Sequence, residues 1–177
     1  MDILKTGKRV YLRGPLMTDA TEFLSMAQAS RRLHRPWVYP PKDRKAFYSY
    51  VHWARSGRMV GTLICLRETD EIVGVANLSE LVRGVFLSAY LGFYGSIHHA
   101  GEGLVGEGVQ LLIRHAFGQL KLHRVEANVQ PANKKSLALV RRLGFRKEGF
   151  SPRYLKVGGR WRDHERWTLL AEGRRRG

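Results

Sequence analysis

The segment that decides the fold is "GSIHHAGEGLVGEGVQLLIRHAFGQLKLHRVEANVQPANKKS", residues 95–136. It opens with a glycine-rich turn at 100–108 and continues into an apolar stripe with helical spacing. A short strand, "RVEANVQ", and a second helix beginning at Asn133 follow. A glycine turn that leads into a helix brings several backbone N–H groups and the positive end of the helix to bear on an anion. The segment therefore predicts a turn that binds a pyrophosphate group.

Two other phosphate-binding motifs do not fit this turn. No Gly-Lys-Ser or Gly-Lys-Thr follows the glycines, as a P-loop for ATP requires. The strand before the turn belongs to a series of neighbouring strands, and no acidic residue closes a second parallel strand, as a dinucleotide-binding unit requires. An ATP site and a dinucleotide site are therefore both disfavoured.

The flanking sequence predicts a sheet that carries helices. Alternating apolar residues indicate three successive antiparallel strands within 59–93, an opening strand at 9–15 and a closing hairpin within 149–170. Helices are predicted to begin near residues 19 and 43, where side chains suited to helix caps precede apolar stripes. The fold class is thus expected to be α/β (α+β).

Length and composition bound the kind of protein. The 177 residues, 44% of them hydrophobic, are enough for a single domain spanning 1–177, with a basic tail at 170–177 that we expect to be disordered. No apolar run reaches the roughly 18 residues of a membrane span, and the N-terminus lacks the layout of a secretory signal. We therefore expect a cytoplasmic protein with no membrane partner and no metal site. The one cysteine, Cys65, lies in the apolar run "VGTLICL" and is predicted to be buried in a strand.

The charge is strongly positive. With 31 basic and 15 acidic residues, the formal net charge is +16, which favours attraction to polyanions such as coenzyme A, ribosomal RNA or tRNA. The basic residues are spread along the chain, and no RNA-binding signature accompanies them. A ribosome-facing surface and a generally basic solvated surface both remain open.

The segment after the predicted strand adds reactive groups. Asn133 opens a helix and Ser136 lies about one turn further, so both side chains can face the same region as the glycine turn. The Asn133 amide can hold the arm of a cofactor, and the Ser136 hydroxyl can donate a proton to a departing thiolate. The alternative is that Asn133 caps the helix and Ser136 is merely solvated.

Six stretches in order resemble the GNAT N-acetyltransferases, and among them the ribosomal-protein-alanine N-acetyltransferases of the RimJ type. They are "GVANLSELVRG" (74–84), "AYLGF" (89–93), "GEGL" (101–104), "HRVEANVQPANKKS" (123–136), "RRLGFRKEGF" (141–150) and "YLKVGGRWRDH" (154–164). The resemblance implies a central mixed, mostly antiparallel twisted sheet of about seven strands flanked by about four helices. It also implies acetyl-CoA as the acetyl donor and a ribosomal protein as the acceptor.

The resemblance also assigns site residues. Tyr94 and Ser136 are the implied catalytic residues, with a backbone N–H around Phe93 or Tyr94 facing the developing oxyanion. The implied cofactor-binding residues are Phe93, Tyr94, Gly101, Glu102, Gly103, Leu104, Val105, Asn133 and Ser136. This chain departs from the family at Ala100, where Gln or Arg is usual, and at Glu102. A carboxylate at position 102 is expected to weaken cofactor binding unless it points to solvent.

The acceptor side is less defined. Trp37, Tyr39, Asn77 and Glu80 are the candidate substrate-pocket residues, although Trp37 and Tyr39 also suit ordinary packing beneath a loop. The strand 85–93 holds no acid or histidine, so the general base is either water or a side chain such as Glu80, His98 or His99 acting through water. An α-amine of pKa about 8 costs about 1.4 kcal/mol to deprotonate at pH 7, whereas a lysine of pKa about 10.4 costs nearly 5. A site without a strong base therefore favours N-terminal amines.

Three functions are compatible with these observations. The first is transfer of acetyl from acetyl-CoA to a protein N-terminus by direct attack, without a covalent enzyme intermediate. The second is acetylation of a small amine such as an antibiotic or an aminoacyl-nucleotide. The third is a ribosome- or nucleic-acid-binding module that has lost catalysis, of which Ala100 and Glu102 would be signs.

Overall fold

The computed structural model describes residues 3–171, which form one eight-stranded sheet and five helices. The strands are β1 (Ile3–Thr6), β2 (Val10–Arg13), β3 (Val60–Leu66), β4 (Ile72–Val82), β5 (Ser88–Gly95), β6 (Arg124–Val129), β7 (Arg146–Val157) and β8 (Arg160–Leu170). The helices are α1 (Ala20–Ala29), α2 (Arg31–His34), α3 (Arg44–Arg55), α4 (Leu104–Gly118) and α5 (Lys134–Arg142). Among these residues no helix is both long and apolar enough to cross a bilayer.

The sheet runs in the order β1-β2-β3-β4-β5-β6-β8-β7, and only β5 and β6 are parallel neighbours. They pair over just three positions, from Ser88 opposite Arg124 to Tyr90 opposite Glu126. Beyond Tyr90, β5 stays with β4 and β6 stays with β8, so the middle of the sheet opens into a V. This opening is the feature that positions the site.

Helices cover both faces of the sheet. On one face, here called the α4 face, α4 and α5 bury Leu112, Ile113 and Val140 against strand residues such as Val125. On the other, the α1 face, α1 and α3 bury Phe23 and Phe47. Each buried side chain of this size stabilises the fold by about 1.5–3 kcal/mol relative to exposure.

The predicted GNAT fold is confirmed, with two additions. The sheet has eight strands instead of about seven, because "ILKT" pairs with β2 although its four residues show little alternation. The fifth helix, α2, is a single turn that no sequence period could reveal. Cys65 is fully buried in β3, as predicted, and the Asp43 side chain accepts the Ala46 N–H at 2.8 Å to begin α3.

The prediction that residues 170–177 are disordered is wrong for Leu170, because Leu170 is the last residue of β8 and pairs with Arg124 of β6. Ala171 follows it and donates its N–H to the His123 carbonyl at 2.9 Å. Residues 172–177 lie outside the described residues.

Candidate active site

A cleft of about 960 Å³ occupies the opening between β5 and β6. Its walls are the end of β5, the end of β6, the turn before α4, the start of α5 and the segment around α2. The cleft reaches both faces of the sheet, because the lining residues come from elements packed on each. A ligand on the α4 face can therefore meet a ligand on the α1 face between the two strands.

The glycine turn forms an anion cradle at the start of α4. Gly101 and Gly103 have φ of 93° and 80°, values that residues with a Cβ adopt only with strain. Among the described residues, no hydrogen-bond partner is found for the N–H groups of Gly101, Gly103, Leu104, Val105 and Gly106, the last three being the first turn of the helix. Five free N–H groups at a helix N-terminus suit a pyrophosphate.

Basic side chains surround the cradle. Arg32, Lys134, Lys135 and Arg142 line the cleft, and no Asp or Glu lines it among the residues that the structure describes. The guanidinium of Arg142 lies 3.1 Å from where a Cβ on Gly106 would stand, so it reaches the first turn of α4. The cleft therefore has a positive potential that suits the phosphates of coenzyme A.

Glu102 leaves the cradle open. Its carboxylate lies 3.3 Å from Nδ1 of His99, and its backbone carbonyl accepts from the Arg9 guanidinium at 2.9 Å. Nε2 of His99 lies 3.1 Å from the Glu71 carboxylate. Burial lowers the pKa of His99, but its hydrogen bonds with Glu71 and Glu102 outweigh burial and raise that pKa above its ordinary value. The His99 imidazole thus holds the Glu102 carboxylate outside the cleft lining.

Asn133 and Ser136 lie together at the start of α5. The Asn133 side-chain oxygen accepts the Ser136 N–H at 3.2 Å, so Asn133 does cap the helix. Both residues also line the cleft, and the Ser136 hydroxyl has no hydrogen-bond partner among the described residues. The cap therefore fixes Ser136 at the α4-face side of the opening with its hydroxyl free to act.

The register of β5 decides which backbone group faces the opening. Ser96 donates its N–H to the Val73 carbonyl at 2.8 Å, which sets the alternation of hydrogen bonds along the regular β4–β5 ladder. By this alternation the Tyr94 N–H points to β4, whereas the Phe93 N–H points away from β4 into the opening. The Phe93 side chain packs on the α4-face core and the Tyr94 side chain on the α1-face core.

The α1-face side of the cleft holds residues that sequence patterns did not single out. Nε2 of His34, on α2, donates to the Gly95 carbonyl at 2.8 Å, and its ring lies edge-on to Tyr94 at 5.1 Å. Asn128 of β6 and His164 of β8 also line the cleft. The alternation of β8 could have indicated that His164 faces inward. Spacing could not have indicated that His164 and His34 share a cleft, because α2 and β8 are about 130 residues apart.

The four candidate pocket residues are not brought together. Trp37 lines the cleft, but Tyr39 packs against the turn of the β7–β8 hairpin, where its ring occupies the space that a Cβ on Gly158 would need. Asn77 uses its side-chain oxygen to accept from the Tyr50 hydroxyl and the Thr62 N–H. Glu80 is exposed on a bulge of β4 away from the cleft lining.

Comparison with known proteins gives one consistent family. A model of the acetyltransferase (GNAT) domain matches residues 9–146. The chain is 46% identical over 155 residues to the [ribosomal protein uS5]-alanine N-acetyltransferase of Escherichia coli K12, covering 82% of this chain and 79% of the relative. It is 30% identical over 172 residues to a probable N-acetyltransferase, YjcK, of Bacillus subtilis, covering 93% and 95%. The structure of Mycobacterium smegmatis RimJ in complex with CoA-disulfide superposes with a TM-score of 0.86 at 31% identity, covering 93% of this chain and 83% of that one.

Proposed function

The chain belongs to the GNAT acetyltransferase family, and from that premise we propose that it acetylates the N-terminal α-amine of a ribosomal protein. Enzymes of this family use acetyl-CoA, which supplies an acetyl group activated as a thioester. The observation that carries the proposal is the cleft through the sheet, with an anion cradle on the α4 face and a separate approach for the acceptor on the α1 face.

The residues present fit coenzyme A. The free N–H groups from Gly101 to Gly106 would hold its pyrophosphate, and Arg142 and Lys135 would add positive charge beside it. Asn133 also lines the cleft and would contact the pantetheine arm. The Glu102 carboxylate is no obstacle while His99 holds it, so Ala100 and Glu102 are poor grounds for a loss of catalysis.

Two groups serve the acyl transfer itself. The Phe93 N–H points into the opening and would donate to the oxygen of the reacting carbonyl, a type of contact worth about 3 kcal/mol in the transition state. The Ser136 hydroxyl would supply the proton that the leaving sulfur takes up. The half-buried Tyr94 would contribute its ring to the wall on the acceptor side, since its N–H is directed to β4 and burial raises the pKa of its hydroxyl.

The acceptor class is argued from the lining and the relatives. A polycationic acceptor such as a polyamine needs carboxylates, and none lines the described cleft. An α-amine needs less help to lose its proton than a lysine does. The Escherichia coli relative is named for alanine acetylation of ribosomal protein uS5, so a ribosomal protein N-terminus is the acceptor that we propose here. We place this reaction in the cytoplasm, with the +16 charge favouring approach to ribosomal RNA.

Mass spectrometry of peptides incubated with acetyl-CoA tests the proposal. The first peptide begins with Ala and has a free α-amine. The second peptide has the same sequence with one added lysine and a blocked α-amine. A third reaction offers free amino acids in place of a peptide. We expect acetylation of the free α-amine alone. Equal acetylation of both peptides, or acetylation only of the small amines, would contradict the proposed acceptor.

A further inference from the structure

We infer that His164 is the general base that takes the proton from the attacking amine, an inference that rests on the proposed acyl transfer. His164 lies on β8 opposite Ser151, lines the cleft and is only 3% exposed. Trp167 and Leu169 of the same strand belong to the α4-face core, so by alternation His164 points to the α1 face. It therefore lies on the side opposite Ser136.

That separation matches the reaction. The leaving sulfur lies in the plane of the thioester carbonyl, whereas the amine attacks from above or below that plane, so the acid and the base can approach from different directions. Ser136 belongs to α5 on the α4 face, and His164 faces the α1 face, while the cleft connects the two.

The hydrogen bond on the other ring nitrogen fixes the tautomer. Nδ1 of His164 lies 2.9 Å from the Arg162 carbonyl oxygen, which can only accept, so Nδ1 carries the proton. Nε2 then holds a lone pair. Among the described residues Nε2 has no hydrogen-bond partner and is not among the enclosed polar atoms, and His164 lines the cleft.

The surroundings keep the imidazole neutral. Burial lowers the pKa of His164, and the hydrogen bond to the Arg162 carbonyl and the charge of Asp163 only partly oppose this. The ring of Tyr154, on β7, lies edge-on to the His164 ring, with 6.4 Å between the ring centroids. Arg166, on β8, points to the same face as His164. A neutral imidazole near pH 7 is available to accept a proton.

The other candidate bases are placed elsewhere. Glu80 and His98 are exposed outside the cleft lining, and both ring nitrogens of His99 lie against carboxylates. His34 lines the same side, but its Nε2 donates to Gly95 and its Nδ1 is enclosed by protein without a partner. His164 alone among these combines the acceptor face with an open, unprotonated nitrogen.

Asn128 lies on the same face as His164, because it pairs with Arg166. Its Oδ1 is enclosed by protein without a hydrogen-bond partner among the described residues. Like Nδ1 of His34, this atom is not open to the cleft, so the proton of the amine is assigned to His164 and not to a group on Asn128.

The step balances in atoms and protons. The amine nitrogen forms a bond to the acetyl carbon as the carbon–sulfur bond breaks, and the nitrogen gives one proton to Nε2 of His164. The sulfur gains one proton through the Ser136 hydroxyl and leaves as the thiol. His164 then returns its proton to solvent, from which Ser136 is reprotonated.

The test compares His164→Gln and His164→Ala with wild type on the acceptor that wild type acetylates best. At pH 7 we expect kcat to fall about 100-fold or more while the affinity for acetyl-CoA, measured by thermal shift, stays the same. The defect of His164→Gln should shrink above pH 9, where an α-amine is already neutral, and added imidazole should restore activity to His164→Ala.

His115→Gln is the matched control. His115 is a buried histidine of α4 whose pKa burial also lowers, but it is outside the cleft lining. It should keep wild-type kcat. A His164→Gln enzyme within threefold of wild type, or a defect that neither high pH nor imidazole reduces, would overturn the inference. Exclusive acetylation of lysines or small amines would overturn the proposed acceptor, while the His164 comparison would still be made on that amine.

Discussion

The Glu102 carboxylate lies 3.3 Å from Nδ1 of His99, and this contact holds an acidic side chain of the glycine turn outside the cleft lining. The carboxylate is about half-exposed, so it is free to move if the imidazole is removed. We therefore expect the removal of His99 to affect cofactor binding through Glu102.

His99→Ala is expected to raise the KM for acetyl-CoA about fivefold. The released carboxylate can approach the pyrophosphate, and like charges at about 4 Å in a solvated setting cost about 1 kcal/mol. The double variant His99→Ala/Glu102→Gln should restore the wild-type KM, because no charge remains to interfere. Steady-state kinetics of both variants and of Glu102→Gln alone provide the measurement. A double variant as weak as the single one would mean that His99 acts in another way.

Gly101→Ala is expected to weaken cofactor binding. Its φ of 93° strains any residue with a Cβ by about 1–2 kcal/mol, and relaxation would turn the free N–H groups from the cradle. Gly57→Ala is the matched control, because Gly57 has φ of 75°, is likewise unobstructed and lies outside the cleft. Both variants should lose thermal stability, but only Gly101→Ala should lose the shift in Tm that acetyl-CoA produces. Equal shifts in Tm on addition of acetyl-CoA to the two variants would contradict a role of the glycine turn in cofactor binding.

Ser136→Ala is expected to lower kcat about 10- to 100-fold and to leave the KM for acetyl-CoA unchanged. The alanine keeps the backbone N–H that Asn133 accepts, so the helix cap survives. Asn133→Ala, in contrast, removes the cap and should cost about 1 kcal/mol of stability. An unchanged kcat in Ser136→Ala would show that water protonates the sulfur.

Acid is expected to destabilise the fold below about pH 6.5. Burial lowers the pKa of His34, His115 and His164, so the unfolded chain, where histidine has a pKa of about 6.5, binds more protons than the folded one. Their contribution is fully present above that pH and is lost as the pH falls. His99, with a raised pKa, acts in the opposite direction.

Urea unfolding at pH 7.5, 6.5 and 5.5 measures this effect. His115→Gln should flatten the dependence of unfolding free energy on pH by up to one proton, about 1.4 kcal/mol per pH unit. A free energy that stays constant or rises on acidification would contradict the assignment of neutral buried histidines.

The local parts of the candidate site could be predicted from the sequence. The glycines at 101 and 103 and the helix start at Asn133 are read from short patterns, because turns and caps depend on neighbouring residues. The acceptor side could not be read this way. His34 and His164 line the same cleft only because β5 and β6 part after Tyr90, and no local pattern encodes where two strands stop pairing. Tyr39 and Asn77 are predicted to line the substrate pocket, but partners distant in the sequence engage them.

The parting of β5 and β6 places two unpaired strand edges inside the sheet. An exposed edge strand usually invites pairing with other molecules and is a hazard for association. Here the edges lie recessed between the helix ends on one face and the segment around α2 on the other. The strand edges can therefore form hydrogen bonds with a ligand, but only with one narrow enough to enter the gap between β5 and β6.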